Sequence, residues 1–228
     1  MESEAPVGSL KLLQSCAERH LRDFTKLGGP RSFNTYDRRG DPARFEPLDA
    51  MAPTLLDAPI RRDHVNQMWC GVSENPYQQL RVAIQECLRE LAGIADQDAV
   101  ALNFANVDFN DPRDPWKLVQ ICFNASKRTP HIKASKVSKM LHRKQPRFVP
   151  IIDSKLVRFY GLTMLQPSSY WQRLADDFRE NRQFLEELCK PIMTSEGLPL
   201  SPLRAADIVI WEHVVTKCLG DCKGSTLP

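Results

Sequence analysis

One carboxylate stands alone in the most basic part of this chain. From Lys127 to Arg158 there are ten lysines and arginines and a single acid, Asp153. That window carries +9 in a chain whose net charge is +3, which leaves −6 for the remainder. Positive charge this concentrated suits an anionic partner, above all a phosphate backbone. A solvated basic face is the plainer alternative. Asp153 follows two isoleucines and precedes a helix-like run. Its carboxylate can accept N–H bonds from a first helical turn, a cap worth about 1 kcal/mol. The same placement, among cations and beside apolar residues, also suits a carboxylate that stabilises a cationic transition state.

The elements that must position these groups read as helices. In "HIKASKVSKMLHRK", a helix from about Lys133 puts Ala134, Val137, Met140 and Leu141 on an apolar stripe. Lys133, Lys136, Lys139 and Arg143 then form a basic stripe beside it, with Lys144 and Arg147 following. His131 lies just before this helix, where it can reach a phosphate or serve no role, and His142 reads as solvated beside Arg143. Pro146 and Pro150 hold "QPRFVPIID" extended, with Phe148, Val149, Ile151 and Ile152 as core candidates. Asp153 then opens a helix that Gly161 ends.

The rest of the chain is also helical in pattern. Leu10 to Leu27 steps by three and four and stops at Gly28-Gly29-Pro30. Short helices are expected over Pro47–Leu56 and Ile60–Trp69, and a longer one from Pro76 with Leu80, Ile84, Cys87, Leu88 and Leu91 inward. Asp114 and Pro115 start another, carrying Trp116, Val119 and Cys122. A helix from Ser168 or Ser169 reaches Leu188, and Ser201-Pro202 opens the last, stopped by Gly220. The stretch from Ala99 to Asp111 reads as a short strand or a loop. The expectation is an all-α protein with one helical domain over 9–220, a disordered 1–8 and a flexible 221–228.

Composition sets the class. The 228 residues are 42% hydrophobic and 26% charged, enough for a sizeable core without staples. No apolar run approaches the ~18 residues of a membrane span, so a soluble, intracellular, cytoplasmic chain with no membrane partner is expected. The seven cysteines are scattered and odd in number, which reads as reduced, mostly buried thiols. Cys218 and Cys222 have no second pair at metal-ligand spacing, so neither metal nor cofactor is expected.

The segment Thr129–Gly161 resembles the helix-hairpin-helix DNA glycosylase superfamily of the endonuclease III type. Its members place a "PGxG" hairpin before a helix with an early Lys or Ser, and an Asp at fixed distance. Aligning "TPHIKASKVSKML" with that hairpin puts Ser135 at the Lys/Ser position and Asp153 eighteen residues on, which is the family's spacing. The resemblance implies a glycosylase-like helical fold, DNA as partner, Asp153 as catalytic acid and Ser135 as a weaker catalytic candidate. It implies phosphate contacts at His131, Lys133, Lys136, Lys139, Arg143, Lys144 and Arg147. Serine in place of lysine argues against Schiff-base strand cleavage. His131 and Lys133 replace the hairpin glycines. A second resemblance spans more of the chain. "ASKVSKMLHRKQPRFVPIID", "RFEPLDAMAPTLLD" and "LRAADIVIW" are similar to motifs of an uncharacterised, mostly actinobacterial group. Three readings follow: a monofunctional base-excision enzyme, a non-catalytic nucleic-acid-binding protein, and a structural or protein-interaction domain on the same fold.

Overall fold

The computed structural model describes residues 8–26, 33–98, 100–165, 167–216 and 218, with Asn34 described by its backbone alone. Eleven α-helices form among them: α1 (Gln14–Thr25), α2 (Phe33–Tyr36), α3 (Pro47–Met51), α4 (Arg62–Cys70), α5 (Pro76–Gln97), α6 (Trp116–Arg128), α7 (Ala134–Lys144), α8 (Ser154–Phe159), α9 (Pro167–Glu180), α10 (Arg182–Cys189) and α11 (Pro202–Thr216). The described residues contain no strand, and the one isolated β-bridge joins Met193 to Pro199. The all-α expectation therefore stands. The segment 100–111 is a series of turns around a 3-10 turn at Phe104–Asn106. No described helix is long and apolar enough to cross a membrane.

Local chemistry sets the helix starts. The Asn75 side chain accepts the Tyr77 N–H, and Pro76 supplies a preset φ where no N–H is needed. Asp114 accepts the Trp116 N–H at 2.7 Å. Glu46 and Asp49 form a reciprocal capping box around Pro47. The helix expected to run on to Leu188 is instead two, α9 and α10, parted at Asn181. The Asn181 amide donates to the Asp177 carbonyl at 2.8 Å, a side-chain bond that competes with the backbone ladder. The expected stops at Gly28–Pro30 and Gly220, and the terminal segments 1–7 and 221–228, lie outside the described residues.

The helices group into two compact units. A terminal unit falls within Met1–Phe33 and Ile152–Pro228, and a middle unit within Asn34–Ile151.

In the middle unit α5 packs along α6, where the Cys122 thiol donates to the Ala83 carbonyl, and Leu80, Ile84, Leu88 and Leu91 of α5 are buried. Trp116 is fully buried among the rings of Phe104, Phe109, Phe123 and Phe148. A smaller cluster joins Tyr36, Ala52 and Ile151 with Leu55 and Leu56, and α7 packs against the turn Ala52–Leu56.

In the terminal unit α11 is apolar nearly all round, from Leu203 to Ile210, and is enclosed by α1, α8 and α10. The buried Asp177 carboxylate collects Ser9 Oγ, the Leu10 N–H, the Tyr160 hydroxyl and the Asn181 amide, all at 2.8–3.0 Å. Gly8 donates its N–H to the Phe159 carbonyl at 2.9 Å. A Cβ at Gly8 would lie 2.5 Å from that same oxygen, so only glycine fits the approach. Arg204 and Asp207 form a one-turn ion pair, buried, with the guanidinium over the Phe24 ring.

Candidate functional site

The hairpin between α6 and α7 is built from its buried ends. Thr129 stops α6. Its N–H reaches the Ser126 carbonyl, and its hydroxyl donates to the carbonyls of Ala125 and Pro76. Ile132 is fully buried and pins the far side of the turn. Between them the chain reverses at His131, whose φ is +60°, and the Ile132 N–H closes on the Pro130 carbonyl at 2.8 Å. A non-glycine residue in the left-handed region costs about 1–2 kcal/mol. The turn therefore keeps a backbone shape that glycine would hold freely.

Lys133 follows in extended conformation at the N-cap of α7, and no side chain caps that helix. The first-turn amides thus point out of the helix end beside an exposed lysine. Lys127, Arg128 and His131 are exposed around them. The Lys133 ammonium donates to the Lys127 carbonyl, and the half-buried Lys136 to the His131 carbonyl, at 3.0 and 2.9 Å. Burial, with Lys139 nearby, lowers the Lys136 pKa.

His64, which the sequence reading did not single out, packs under this turn. Its ring stacks on His131 at 5.4 Å and on Tyr77 at 5.6 Å. It is buried, and its Nδ1 has no hydrogen-bond partner among the described residues. Burial first, then His131, Arg61 and Lys136 nearby, lowers its pKa and favours the neutral ring. Only a long-range ring contact places it here, so no local spacing could have revealed it.

Half of the expected basic stripe turns inward. Lys139 is 3% exposed and donates to the Leu56 carbonyl at 2.9 Å. Lys144 is 2% exposed and meets Asp49 at 2.9 Å and the carbonyls of Arg39 and Asp41. Arg143 donates to the other Asp49 oxygen at 3.1 Å and to the carbonyls of Thr35 and Tyr36. These three were expected on a phosphate-facing stripe. Their positive charge is instead spent on the loop from Thr35 to Asp57, because that loop has carbonyls and the buried Asp49 carboxylate to satisfy. His142, expected in solvent, is fully buried: Nδ1 lies 2.6 Å from the Val149 carbonyl and the ring stacks on Tyr36. Arg147 is exposed, as expected. Phe148, Val149, Ile151 and Ile152 are buried, as their apolar run implied.

Asp153 belongs to the terminal unit. It is the N-cap of α8, extended at φ −141°, and Oδ1 accepts the Lys155 N–H at 2.9 Å. The carboxylate is half-buried. Its charge, after burial and Asp207, helps push up the pKa of the enclosed Tyr170 phenol. Lys155 lies over the Trp211 ring at 4.4 Å. Ser135 sits half-buried in the first turn of α7, in the middle unit, its carbonyl accepting the Ser138 hydroxyl.

The terminal unit also gathers Cys16, His20, His213 and Cys218, all buried. The expectation of no metal rested on cysteine spacing alone, which gives no sign of a set drawn from both ends of the chain. The i, i+4 pair Cys16 and His20 on one helix was the available signal.

These features define an all-helical protein with an exposed, cation-rimmed hairpin in one unit and a carboxylate-capped helix in the other. The chain belongs to the family of unknown function DUF6308, whose model matches residues 17–214. No curated protein and no solved structure matches it.

Proposed function

We propose that this chain binds nucleic acid, gripping the phosphate backbone of DNA with the hairpin between α6 and α7. The observation that carries the reading is the hairpin itself. His131 holds φ +60° above a buried Ile132, which leaves the uncapped start of α7 exposed beside Lys127, Arg128 and Lys133. Backbone amides at a helix start, ringed by cations, suit phosphate oxygens. None of those three cations is paired with an acid among the described residues. The left-handed turn at a hairpin-glycine position, and a helix opened by Asp153, support the resemblance to the helix-hairpin-helix glycosylase fold. Lys139, Arg143 and Lys144 act as internal struts in this reading, so the grip is smaller than the charge count implies. The test is duplex binding by fluorescence anisotropy at low salt. Lys127→Ala, Arg128→Ala and Lys133→Ala combined should weaken affinity at least tenfold with unfolding unchanged. Equal affinity in the two proteins rejects the hairpin as the contact.

A second reading adds base excision, with Asp153 stabilising positive charge on the sugar. Its support is that the carboxylate remains partly exposed although it caps a helix. A base-release screen over duplexes carrying damaged or modified bases tests it beside Asp153→Asn. Release by the parent and none by the variant supports it, while release by neither leaves a binding protein alone.

A further inference from the structure

We propose that Cys16, His20, His213 and Cys218 form a structural zinc site that joins the two ends of the terminal unit. Cys16 and His20 are four apart on α1, so both side chains leave one face of that helix. His213 lies in the last turn of α11, and Cys218 follows two residues beyond the end of that helix at Thr216. The four ligand atoms lie within 4.8 Å of one another, and all four residues are buried.

The spacings fit one ion. Zinc–sulfur bonds of about 2.3 Å and zinc–nitrogen bonds of about 2.0–2.1 Å, set tetrahedrally, separate two sulfurs by ~3.8 Å and sulfur from nitrogen by ~3.5 Å. The Cys16 and Cys218 sulfurs are 3.7 Å apart. Cys218 Sγ lies 3.2 Å from His20 Nε2 and 3.5 Å from His213 Nδ1. The sulfurs are too far apart for a disulfide, whose bond is about 2.05 Å.

The electrostatics agree with the geometry. Burial is the first cause that lowers both histidines, His20 to about 4, with Arg19 and His213 adding to the effect at His20. An imidazole offers zinc a ring lone pair in its neutral form. Binding Zn²⁺ converts two thiols to thiolates and releases two protons to solvent, while the imidazoles coordinate unchanged. The resulting site carries no net charge, which suits its burial. The Arg19 guanidinium lies 3.8 Å from Cys218 Sγ, placed as an outer donor to that thiolate. The His213 ring meets Phe159 edge-on at 5.9 Å, which holds its orientation. Two sulfurs and two nitrogens in a closed tetrahedron select zinc and leave no position for substrate. The site therefore serves folding, and its argument is independent of the nucleic-acid reading.

The test uses the untagged full chain, stripped under reducing conditions and titrated with Zn²⁺ and with Co²⁺. The expected result is one equivalent of metal, a cobalt spectrum with thiolate charge-transfer and tetrahedral d–d bands, and a higher unfolding temperature on zinc addition. Cys218→Ser should lose the charge-transfer intensity and most of the affinity, whereas Cys70→Ser, at an exposed cysteine, should keep both. If Cys218→Ser does not fold, alkylation of the parent protein followed by mass spectrometry decides. Zinc should protect Cys16 and Cys218 together, and a chelator should expose them. Three results overturn the proposal: folded, reduced protein that takes up no metal; metal that leaves both cysteines as reactive as before; and a Cys16–Cys218 disulfide in protein that binds neither ion.

Discussion

At the scale of single residues, charges that look alike in sequence do different work. Asp153 is a helix cap by its geometry, and asparagine caps as well as aspartate. Asp153→Asn should therefore leave urea unfolding nearly unchanged, while Asp153→Ala should lose about 1 kcal/mol. A large loss in the asparagine variant would mean that the carboxylate charge itself holds the fold. Asp49 is the opposite case, because one buried carboxylate faces both Arg143 and Lys144. Asp49→Asn strands two enclosed cations and should cost about 3 kcal/mol or more by denaturant melt. His64 carries the pH dependence of the hairpin. Its folded pKa lies below the usual 6.5, so the unfolded chain takes up a proton first as pH falls. Stability from this group is complete above about pH 6.5 and declines below it. His64→Phe keeps a ring in the stack and should flatten the fall in the urea midpoint between pH 7 and pH 5. An unchanged slope in that variant would show that His64 adds nothing to the fall, which His20 and His213 also drive.

At the scale of elements, what was legible followed the range of the interaction. The starts of α5 and α6 were readable because Asn75-Pro76 and Asp114-Pro115 act within one turn. The apolar stripe of α7 was readable because Val137, Met140 and Leu141 repeat along one face, and all three are fully buried. The basic stripe beside it turns inward at Lys139, Arg143 and Lys144. Lys139 and Lys144 find their acceptors 83 and 105 positions earlier, at Leu56 and Arg39. Charge counting along a helix cannot register a loop that folds over it. The Cys/His set escaped for the same reason, since its halves lie some 200 positions apart. The division between α9 and α10 was missed because hydrophobic spacing continues across Asn181, while the break depends on that one side chain. The turn between α6 and α7 falls just before the basic helix, at His131. His131 holds a left-handed φ at that turn, a region that glycine enters more freely.

At the scale of the molecule, the two units divide the candidate chemistry between them. The middle unit holds the cationic hairpin and the ion-paired loop, and the terminal unit holds Asp153 and the proposed metal ligands. Lys127, Arg128 and Lys133 offer charge outward, whereas Lys139 turns inward to the Leu56 carbonyl and Lys144 to the Asp49 carboxylate. Nucleic-acid binding through the hairpin therefore predicts a salt dependence set by the outward group. The most direct measurement is the affinity for a labelled duplex, followed from low to physiological salt, in the parent protein and in the combined Lys127, Arg128 and Lys133 alanine variant. Each phosphate neutralised contributes about 0.9 to the slope of log affinity against log salt. The account predicts a clear negative slope in the parent protein and a shallower one in the variant, by up to about 0.9 for each phosphate that is no longer neutralised. Affinity that does not change with salt, or a slope the three substitutions leave intact, would contradict it.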